Sequence, residues 1–384
     1  MQHLRAHFFT SAEEVGKDNW QSLFKVDDDP FSSYEFIHAL EQSGCVSAQT
    51  GWQPFHLGLY QQDELVALCL GYIKSHSYGE YVFDWSIAEA YEAHGFDYYP
   101  KWICAVPFTP VTGKRIAIGT AIPTAQALSA IEAALEHQAK LQQWSGWHIN
   151  FCEPQLAEEI EKLPCMRRKT VQFQWQNRGY DSFDVFTEQL KARKRKNIIK
   201  ERHATSTAGL RIEVTTGDEV TLEQMQLLSR FYQRTYLKRS GHTGYLNPLF
   251  FALLWQHMHE SLVVISAFKE QDDTPVAASL FLRNKDTLYG RYWGCSEHFD
   301  HLHFELCYYQ GIEFCIDNNL TYFNGGAQGE HKIARGFEPI FTHSCHRLVD
   351  SPFAAAISDF FARENAQHDL YRQDCELLSP YKVQ

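Results

Sequence analysis

Apolar residues recur with two different periods along the chain, and these periods predict its helices and strands. Spacings of three and four residues indicate helices, and runs of β-branched and aromatic residues indicate strands. In the first half we predict helices near 32–43 and 124–141, and strands near 55–60, 64–73, 80–86 and 147–151. Ser32 and Glu35 have capping-box spacing at the first helix. Residues 61–63 suit a hairpin turn, and 95–113 reads as a loop rich in proline and aromatic residues.

The second half repeats this order of elements. It predicts helices near 220–238, 247–259 and 303–318, and strands near 261–269, 275–283, 286–294 and 320–323. The repetition indicates two α/β domains of one type with mixed sheets, at residues 1–178 and 179–384. A single large mixed sheet is the alternative.

The helix predicted at 303–318 carries one continuous face for packing on a sheet. Its members are Phe304, Cys307, Tyr308, Gly311 and Cys315. Gly311 lets that face approach closely. Because this helix connects two predicted parallel strands, the carboxyl ends of the strands and the start of the helix form a natural ligand crevice.

Composition places the chain among globular proteins with large cores. Of 384 residues, 44% are hydrophobic, and no run approaches the length of a membrane span. The ten cysteines are scattered without a C-x-x-C pair, so we expect them to be reduced, in a cytoplasmic protein with no metal site. The net charge of −12 requires any phosphate-bearing partner to meet a local basic patch.

The segment after the last predicted strand holds the residues best suited to chemistry. Three glycines precede a polar run that contains Gln328, Glu330, His331, Lys332 and Arg335. An amine that attacks an ester or thioester needs a base and donors for the oxyanion. Glu330 or His331 would be the base, and Lys332 and Arg335 would hold anionic groups. A solvated helix start is the competing interpretation.

Arg291 lies within a predicted strand among aromatic residues, next to Tyr292. A guanidinium in that setting needs an anion or a ring face. It would anchor a substrate anion or Glu330, or else form an internal salt bridge, for example with Glu305.

A basic run occupies 191–202, with seven cations in twelve residues. An apolar stripe through Phe186, Leu190 and Ile198 predicts a docked helix with a cationic outer face. We assign phosphate binding to four of its residues: Arg193, Arg195, Lys196 and Lys200. A merely solvated face is the alternative.

Polar and aromatic residues alternate in the first half between 74 and 101. Lys74, His76, Glu80 and Lys101 are candidate substrate-binding residues, because isolated charges beside aromatic rings suit a polar small-molecule cleft. Packing between domains would give the same pattern.

Several long motifs together resemble one family. They are residues 74–85 (KSHSYGEYVFDW), 107–113 (PFTPVTG), 290–295 (GRYWGC), 303–313 (HFELCYYQGIE) and 326–332 (GAQGEHK), with Arg335-Gly-Phe337. The chain resembles the bacterial FemAB-like "peptidoglycan biosynthesis protein" family of the GNAT (N-acetyltransferase-like) superfamily. The resemblance implies two tandem GNAT-like domains, and from the residues above we expect the active site in the second. It also implies transfer chemistry like that of Fem-type enzymes, which move amino acids from aminoacyl-tRNA onto peptidoglycan precursors.

One segment departs from the acetyltransferase pattern. Acyl-CoA users usually carry a glycine-rich loop after the fourth strand, but residues 294–303 (GCSEHFDHLH) lack its glycines and contain acids. Acyl-CoA and aminoacyl-tRNA both stay open as donors, without a tightly bound cofactor.

The sequence therefore predicts an acyl- or aminoacyl-transferase with a small-molecule or peptide amine as acceptor, and with tRNA as a candidate partner. The alternative is a non-catalytic GNAT-like module that binds a cell-wall precursor or peptide.

Overall fold

Two units built from interleaved segments make up the computed structural model, which describes residues 4–25, 29–327 and 329–382. Unit 1 comprises Met1–Thr170 and Phe341–Leu370, and unit 2 comprises Val171–Ile340 and Tyr371–Gln384. The predicted domains, residues 1–178 and 179–384, concern the GNAT-like repeats and remain a prediction. The compact units are divided differently, because residues 341–370 belong to unit 1.

The first half contains nine strands and six helices among its described residues. The strands are β1 (Leu4–Phe9), β2 (Trp52–Pro54), β3 (His56–Gln61), β4 (Glu64–Cys69), β5 (Gly71–Lys74), β6 (Lys101–Cys104), β7 (Ile116–Ile118), β8 (Gly146–Cys152) and β9 (Met166–Gln176). The helices are α1 (Ala12–Val15), α2 (Lys17–Leu23), α3 (Tyr34–Gln42), α4 (Trp85–Ala93), α5 (Thr124–Gln142) and α6 (Pro154–Ile160).

The second half contains six strands and seven helices within the described part of the chain. The strands are β10 (Leu210–Thr216), β11 (Leu262–Lys269), β12 (Pro275–Arg283), β13 (Thr287–Cys295), β14 (Tyr322–Asn324) and β15 (Glu338–Leu348). The helices are α7 (Phe183–Glu188), α8 (Ala192–Ser206), α9 (Leu222–Ser240), α10 (Pro248–Met258), α11 (Leu302–Phe304), α12 (Gln310–Asp317) and α13 (Ala354–Leu377). A π-helical turn, Glu305–Tyr309, joins α11 to α12, and a 3₁₀ helix spans Glu330–Arg335.

Unit 1 has two sheets. One has the strand order β1-β3-β4-β7, and the other runs β2-β5-β6-β8-β15 within this unit. Strands β6 and β8 are parallel, and α5 lies between them in the chain. Trp102 and Trp147 are paired across these strands, and both are fully buried. Strands that are covered by a crossover helix carry bulky apolar residues of this kind.

Unit 2 is built on a mixed sheet of order β10-β11-β12-β13-β14-β9. Strands β10 to β13 form an antiparallel meander, and β14 joins β13 in parallel after the helical segment 302–317. A Cβ at Gly311 would lie 2.6 Å from the Phe323 ring, which confirms that glycine allows this helix to approach the sheet. The mixed α/β fold class is thus confirmed in both units.

Several element predictions in the first half were wrong. Residues 80–86 form no strand: a loop leads into α4 at Trp85, and Asp84 occupies the N-cap position. The cap of α3 is Ser33, whose hydroxyl accepts from the Phe36 amide, while Ser32 donates to the Asp29 carbonyl. The predicted loop 95–113 contains the buried strand β6.

Over the residues described, no helix combines the length and apolarity needed to span a membrane.

Candidate functional site

The two parallel strands of unit 2 stop pairing before β13 ends. Pairing with β14 covers Thr287–Tyr289 only, and β13 runs on to Cys295. On its other side β13 has a bulge at Arg291, since Leu280 pairs with Tyr292 and Phe281 with Gly290. Bulges bend and twist a strand. We call this place, where residues 290–295 continue without β14, the strand opening.

Lys332 is buried beside this opening. Its side chain is 1% exposed, and Nζ donates to the Gly326 carbonyl at 2.6 Å. Gly326 is adjacent to Gly290 of β13: a Cβ added to Gly326 would lie 3.8 Å from the Gly290 carbonyl oxygen. Burial lowers the pKa of Lys332 to about 7. The side chain therefore changes charge near neutrality, as functional lysines commonly do.

His331 and Glu330 lie at the start of the same 3₁₀ helix, with more exposed side chains. Nε2 of His331 is 3.0 Å from the Tyr308 hydroxyl, and burial followed by the charge of Arg335 lowers its pKa. The lowered pKa favours the neutral imidazole, which is the form that accepts a proton. Glu330 is exposed, and its carboxylate accepts a hydrogen bond of 2.7 Å from Tyr371.

Arg335 is buried in a set of internal contacts. It donates to Glu201 at 2.7 Å, to the Tyr309 hydroxyl at 2.9 Å and to the His331 carbonyl at 2.8 Å. Its guanidinium also lies 3.6 Å from the centre of the Phe304 ring. These contacts fix the 3₁₀ helix against α8 and the helical segment 302–317.

Glu305 forms its ion pair with a residue of the basic run. Arg202 donates to it at 3.0 Å and also contacts Glu313 at 2.7 Å. Burial raises the pKa of Glu305, and Arg202 opposes that effect. Arg291 is half-buried, with its guanidinium 5.2 Å from the Tyr292 ring centre, and Tyr292 packs on Tyr232. Gln328 lies outside the described residues.

A cationic cavity of about 640 Å³ adjoins the carboxyl end of β13. Arg234, Lys238 and Arg239 of α9 line it, opposite the loop that contains Glu297. His303 lines the same cavity, and its ring contacts that of Tyr308 at 5.5 Å. Burial and then the charge of His331 lower the pKa of His303 to about 4. The rings of His303 and Tyr308 thus form successive contacts between this cavity and His331.

The basic run forms α8, but the predicted single helix is divided: Phe186 belongs to α7, Leu190 lies between the two helices, and only Ile198 of the stripe is in α8. Leu190 and Ile198 are 0% and 2% exposed, and Phe186 is fully buried. On the outer side, Arg193, Lys196 and Lys200 are exposed, and Arg195 pairs loosely with Glu188 at 3.5 Å. The helix therefore has a cationic outer face, as expected.

Three of the four candidates in unit 1 come together. Lys101 donates to Glu80 at 2.9 Å and to Asp84, and all three side chains are buried. Lys74 lies nearby, 3.8 Å above the Trp52 ring, and burial lowers its pKa to about 7. His76 is half-buried and bonds to the Thr50 carbonyl at 3.1 Å, so it fixes the loop instead of joining the cluster.

Two features escaped the sequence reasoning. The cations of α9 are spaced four residues apart at Arg234 and Lys238, and this one-face spacing was the available signal. Asp84 lies in a segment whose pattern predicts a strand, so its position at the N-cap of α4 was missed, although aspartate is common at such positions.

Comparison with known proteins agrees with this architecture. No curated protein matches the sequence. Among solved structures, the chain is similar to FemX (10% identity, TM-score 0.53, covering 92% of this chain and 100% of that one). It is also similar to the C-terminal domain of a putative lysylphosphatidylglycerol synthetase from Agrobacterium fabrum (10% identity, TM-score 0.52, covering 92% and 97%).

A tandem GNAT protein from the clavulanic acid biosynthesis pathway matches at 10% identity and a TM-score of 0.49, over 90% and 98% of the two chains. At these identities the likeness to FemX and to the synthetase domain shows a shared fold and no more. The model of one family, described as peptidoglycan biosynthesis/recognition, matches residues 11–383. The chain therefore belongs to the FemAB-like family.

Proposed function

We propose that the protein transfers an acyl or aminoacyl group to an amine, and that the reaction takes place at the strand opening of unit 2. The observation that carries this proposal is the buried Lys332, held against the Gly326 carbonyl where β13 continues without β14. Burying the charged form of a lysine costs free energy. Such a residue is a candidate for function.

The reaction needs a proton acceptor and a group that stabilises the oxyanion. The acceptor amine attacks the carbonyl carbon of an ester or thioester, a C–N bond forms, and the C–O or C–S bond breaks. The proton of the amine goes to a base. We assign this role to His331, whose lowered pKa keeps it neutral. Glu330 is the alternative base. The Lys332 ammonium stabilises the developing negative charge.

The donor is proposed to be held through its phosphates. The cavity lined by Arg234, Lys238 and Arg239 supplies three exposed cations beside the opening. The outer face of α8 adds more cations within the same unit. Together these surfaces favour aminoacyl-tRNA over acyl-CoA, because a long phosphate backbone can use both and the loop 294–303 lacks the glycines of a coenzyme A site.

Single-turnover transfer from aminoacylated tRNA or from acetyl-CoA to an amine-bearing muropeptide tests the proposal. The variants are Lys332→Met, His331→Asn and Glu330→Gln, with Lys285→Met as the matched control, since Lys285 is an exposed lysine of the same unit. We expect Lys332→Met and His331→Asn to lose transfer by about 100-fold or more, while Lys285→Met keeps it. Full activity of Lys332→Met would contradict the proposal, and loss in Glu330→Gln alone would make Glu330 the base.

A second candidate function is a binding module without catalysis. It is favoured by Arg335, whose guanidinium is engaged by Glu201, Tyr309 and the His331 carbonyl, and by Glu330, which is bonded to Tyr371. Binding of a muropeptide that survives Glu330→Gln, with no transfer by either protein from either donor, would support this function.

A further inference from the structure

A second cavity lies beside the cationic cavity at the carboxyl end of β13. Its volume is about 200 Å³, and Trp293, Cys295 and His303 line both cavities, together with residues 297 and 298. The remaining walls of the second cavity come from the segment that leads into α11: Phe299, His301, Leu302 and Phe304. We call this second cavity the aromatic pocket. Since five residues line both cavities, the two are direct neighbours in unit 2.

The aromatic pocket presents rings that the fold covers only in part. Trp293, Phe299 and Phe304 are each half-buried. His303 packs between two of them, with its ring centre 5.2 Å from that of Trp293 and 5.6 Å from that of Phe304. Its pKa of about 4 leaves the imidazole neutral at pH 7. A ligand that covers these rings gains free energy by removing apolar surface from water.

The size of the aromatic pocket suits a group of about one ring. Its volume of about 200 Å³ exceeds the roughly 150 Å³ of an apolar cavity that takes up benzene. A phenyl ring or a branched aliphatic group of similar size therefore fits, in contact with Trp293, Phe299 and Phe304.

The neighbouring cavity supplies cations that no described carboxylate neutralises. Three exposed residues of α9 line it, and none of them forms an ion pair with a described residue: Arg234, Lys238 and Arg239. Burial raises the pKa of the Cys295 thiol, and the charges of Lys238 and Arg234 oppose that effect, which places these cations beside the shared wall. The carboxylate of Glu297 in that wall is paired with Lys269 at 2.7 Å. The cavity therefore favours an anion.

Packing fixes the cations relative to the aromatic pocket. A Cβ added to Gly294 would lie 2.4 Å from the Phe231 carbonyl oxygen, so α9 packs directly on the backbone of β13. The Thr235 hydroxyl also donates to the Trp293 carbonyl at 3.2 Å. The helix that carries the cations is thus held against the strand that carries Trp293.

We propose that the two cavities form one binding site, for a ligand that joins an apolar group of about one ring to an anionic group such as a phosphate. The apolar group contacts Trp293, Phe299 and Phe304, and the anion contacts the cations of α9. The Phe304 ring also contacts the proposed base His331, with ring centres 5.6 Å apart. The inference rests on the proposed function in one respect, which is that the ligand is the donor. The donor then carries an aromatic or branched aliphatic acyl group.

Calorimetric titration of the full-length protein at pH 8 with phenyl phosphate, inorganic phosphate and phenol tests the proposal. Phenyl phosphate carries both groups, and each of the other probes carries one. We expect phenyl phosphate to bind at least about tenfold more tightly than either single probe, because burial of the ring adds to the contact of the anion. If phenyl phosphate binds no more tightly than inorganic phosphate, or shows no saturable binding, the proposal is overturned.

Variants of the two cavities separate the two contacts. Phe299→Ala should weaken phenyl phosphate by about fivefold and leave inorganic phosphate unchanged, because only apolar surface is lost. Lys238→Met should weaken both phosphates by a similar factor of about threefold. The matched controls are Leu249→Ala and Lys285→Met, which change exposed residues of the same unit and should bind as wild type does. Equal effects of Phe299→Ala on both phosphates, or none on either, would refute the apolar contact.

These titrations measure no transfer, so the two proposals fail separately. Phenyl phosphate that binds as expected, in a protein whose Lys332→Met variant transfers normally, would refute the proposed reaction and leave this site. Transfer that depends on Lys332, in a protein that binds phenyl phosphate no better than inorganic phosphate, would refute this inference alone.

Discussion

Replacement of Lys332 by methionine should separate stability from activity. Burial lowers the pKa of this lysine from 10.5 to about 7. That change corresponds to a cost of about 5 kcal/mol for keeping the ammonium in the folded state at pH 6, at about 1.4 kcal/mol per tenfold change in the proton equilibrium. Methionine removes this cost. It also removes the hydrogen bond to Gly326, which contributes about 1.5 kcal/mol. We therefore expect Lys332→Met to be more stable than wild type by about 3 kcal/mol at pH 6.

The advantage should disappear at alkaline pH. The folded-state pKa lies below the unfolded value, so between pH 7 and 10.5 the unfolded chain binds more protons and the wild type gains stability as pH rises. At pH 9.5 the remaining cost is about 1.4 kcal/mol, nearly equal to the hydrogen bond that methionine loses. The two proteins should then have similar free energies of unfolding.

Urea denaturation of Lys332→Met, Lys285→Met and wild type at pH 6 and pH 9.5 measures this difference. Lys285 is exposed, so its variant should follow the wild type at both pH values. Two outcomes would show that burial of the Lys332 ammonium does not destabilise the folded protein. Either Lys332→Met is less stable than wild type at pH 6, or its gain in stability is the same at both pH values. The reason for assigning it a catalytic role would then be lost.

Three further changes have expected outcomes of other kinds. Arg202→Met leaves the buried Glu305 without its cation and should lower the free energy of unfolding by about 3 kcal/mol, measured in urea. Gly311→Ala places a methyl group 2.6 Å from Phe323 and should cost about 1–3 kcal/mol, which a thermal melt would detect; an unchanged Tm would contradict the close approach. Lys238→Glu reverses one charge of the cationic cavity and should weaken tRNA binding most strongly at low salt; an effect independent of salt would exclude a phosphate contact.

The fold of unit 2 could be predicted because its pattern is local. Strands 275–283 and 286–294 and the two helices before them lie within two residues of their predicted ends. In these segments the apolar period agrees with the burial that the fold requires. The role of Gly311 could be predicted for the same reason. A glycine in the middle of an apolar helix face indicates that the helix packs closely on its neighbour there.

The loop 80–86 could not be predicted from its pattern. Tyr81, Val82 and Phe83 are strong β-formers, but the residues that become buried around them include Glu80 and Asp84. Their partner Lys101 is supplied by a strand that follows the helix α4. Propensity carries no information about a buried ion cluster of this kind.

The contacts among the candidate residues of unit 2 could not be predicted. The sequence suggested Arg291 as the salt-bridge partner of Glu305, whereas Glu305 pairs with Arg202, 103 residues earlier in the chain. Glu201 likewise meets Arg335 across 134 residues. Such pairs are set by tertiary packing, which a local pattern does not encode.

Lys101 of unit 1 and Lys332 of unit 2 are both buried, but their surroundings change their pKa values in opposite directions. Although burial opposes it, Asp84 and Glu80 raise the pKa of Lys101 above its ordinary value, and its three protons are already donated. It stays charged, but it has no donor left for a reacting atom. Burial brings Lys332 to a pKa of about 7, beside a backbone carbonyl and next to the strand opening. A side chain that changes charge near neutrality at this position suits the oxyanion contact that we propose, and for that reason we propose the chemistry for unit 2.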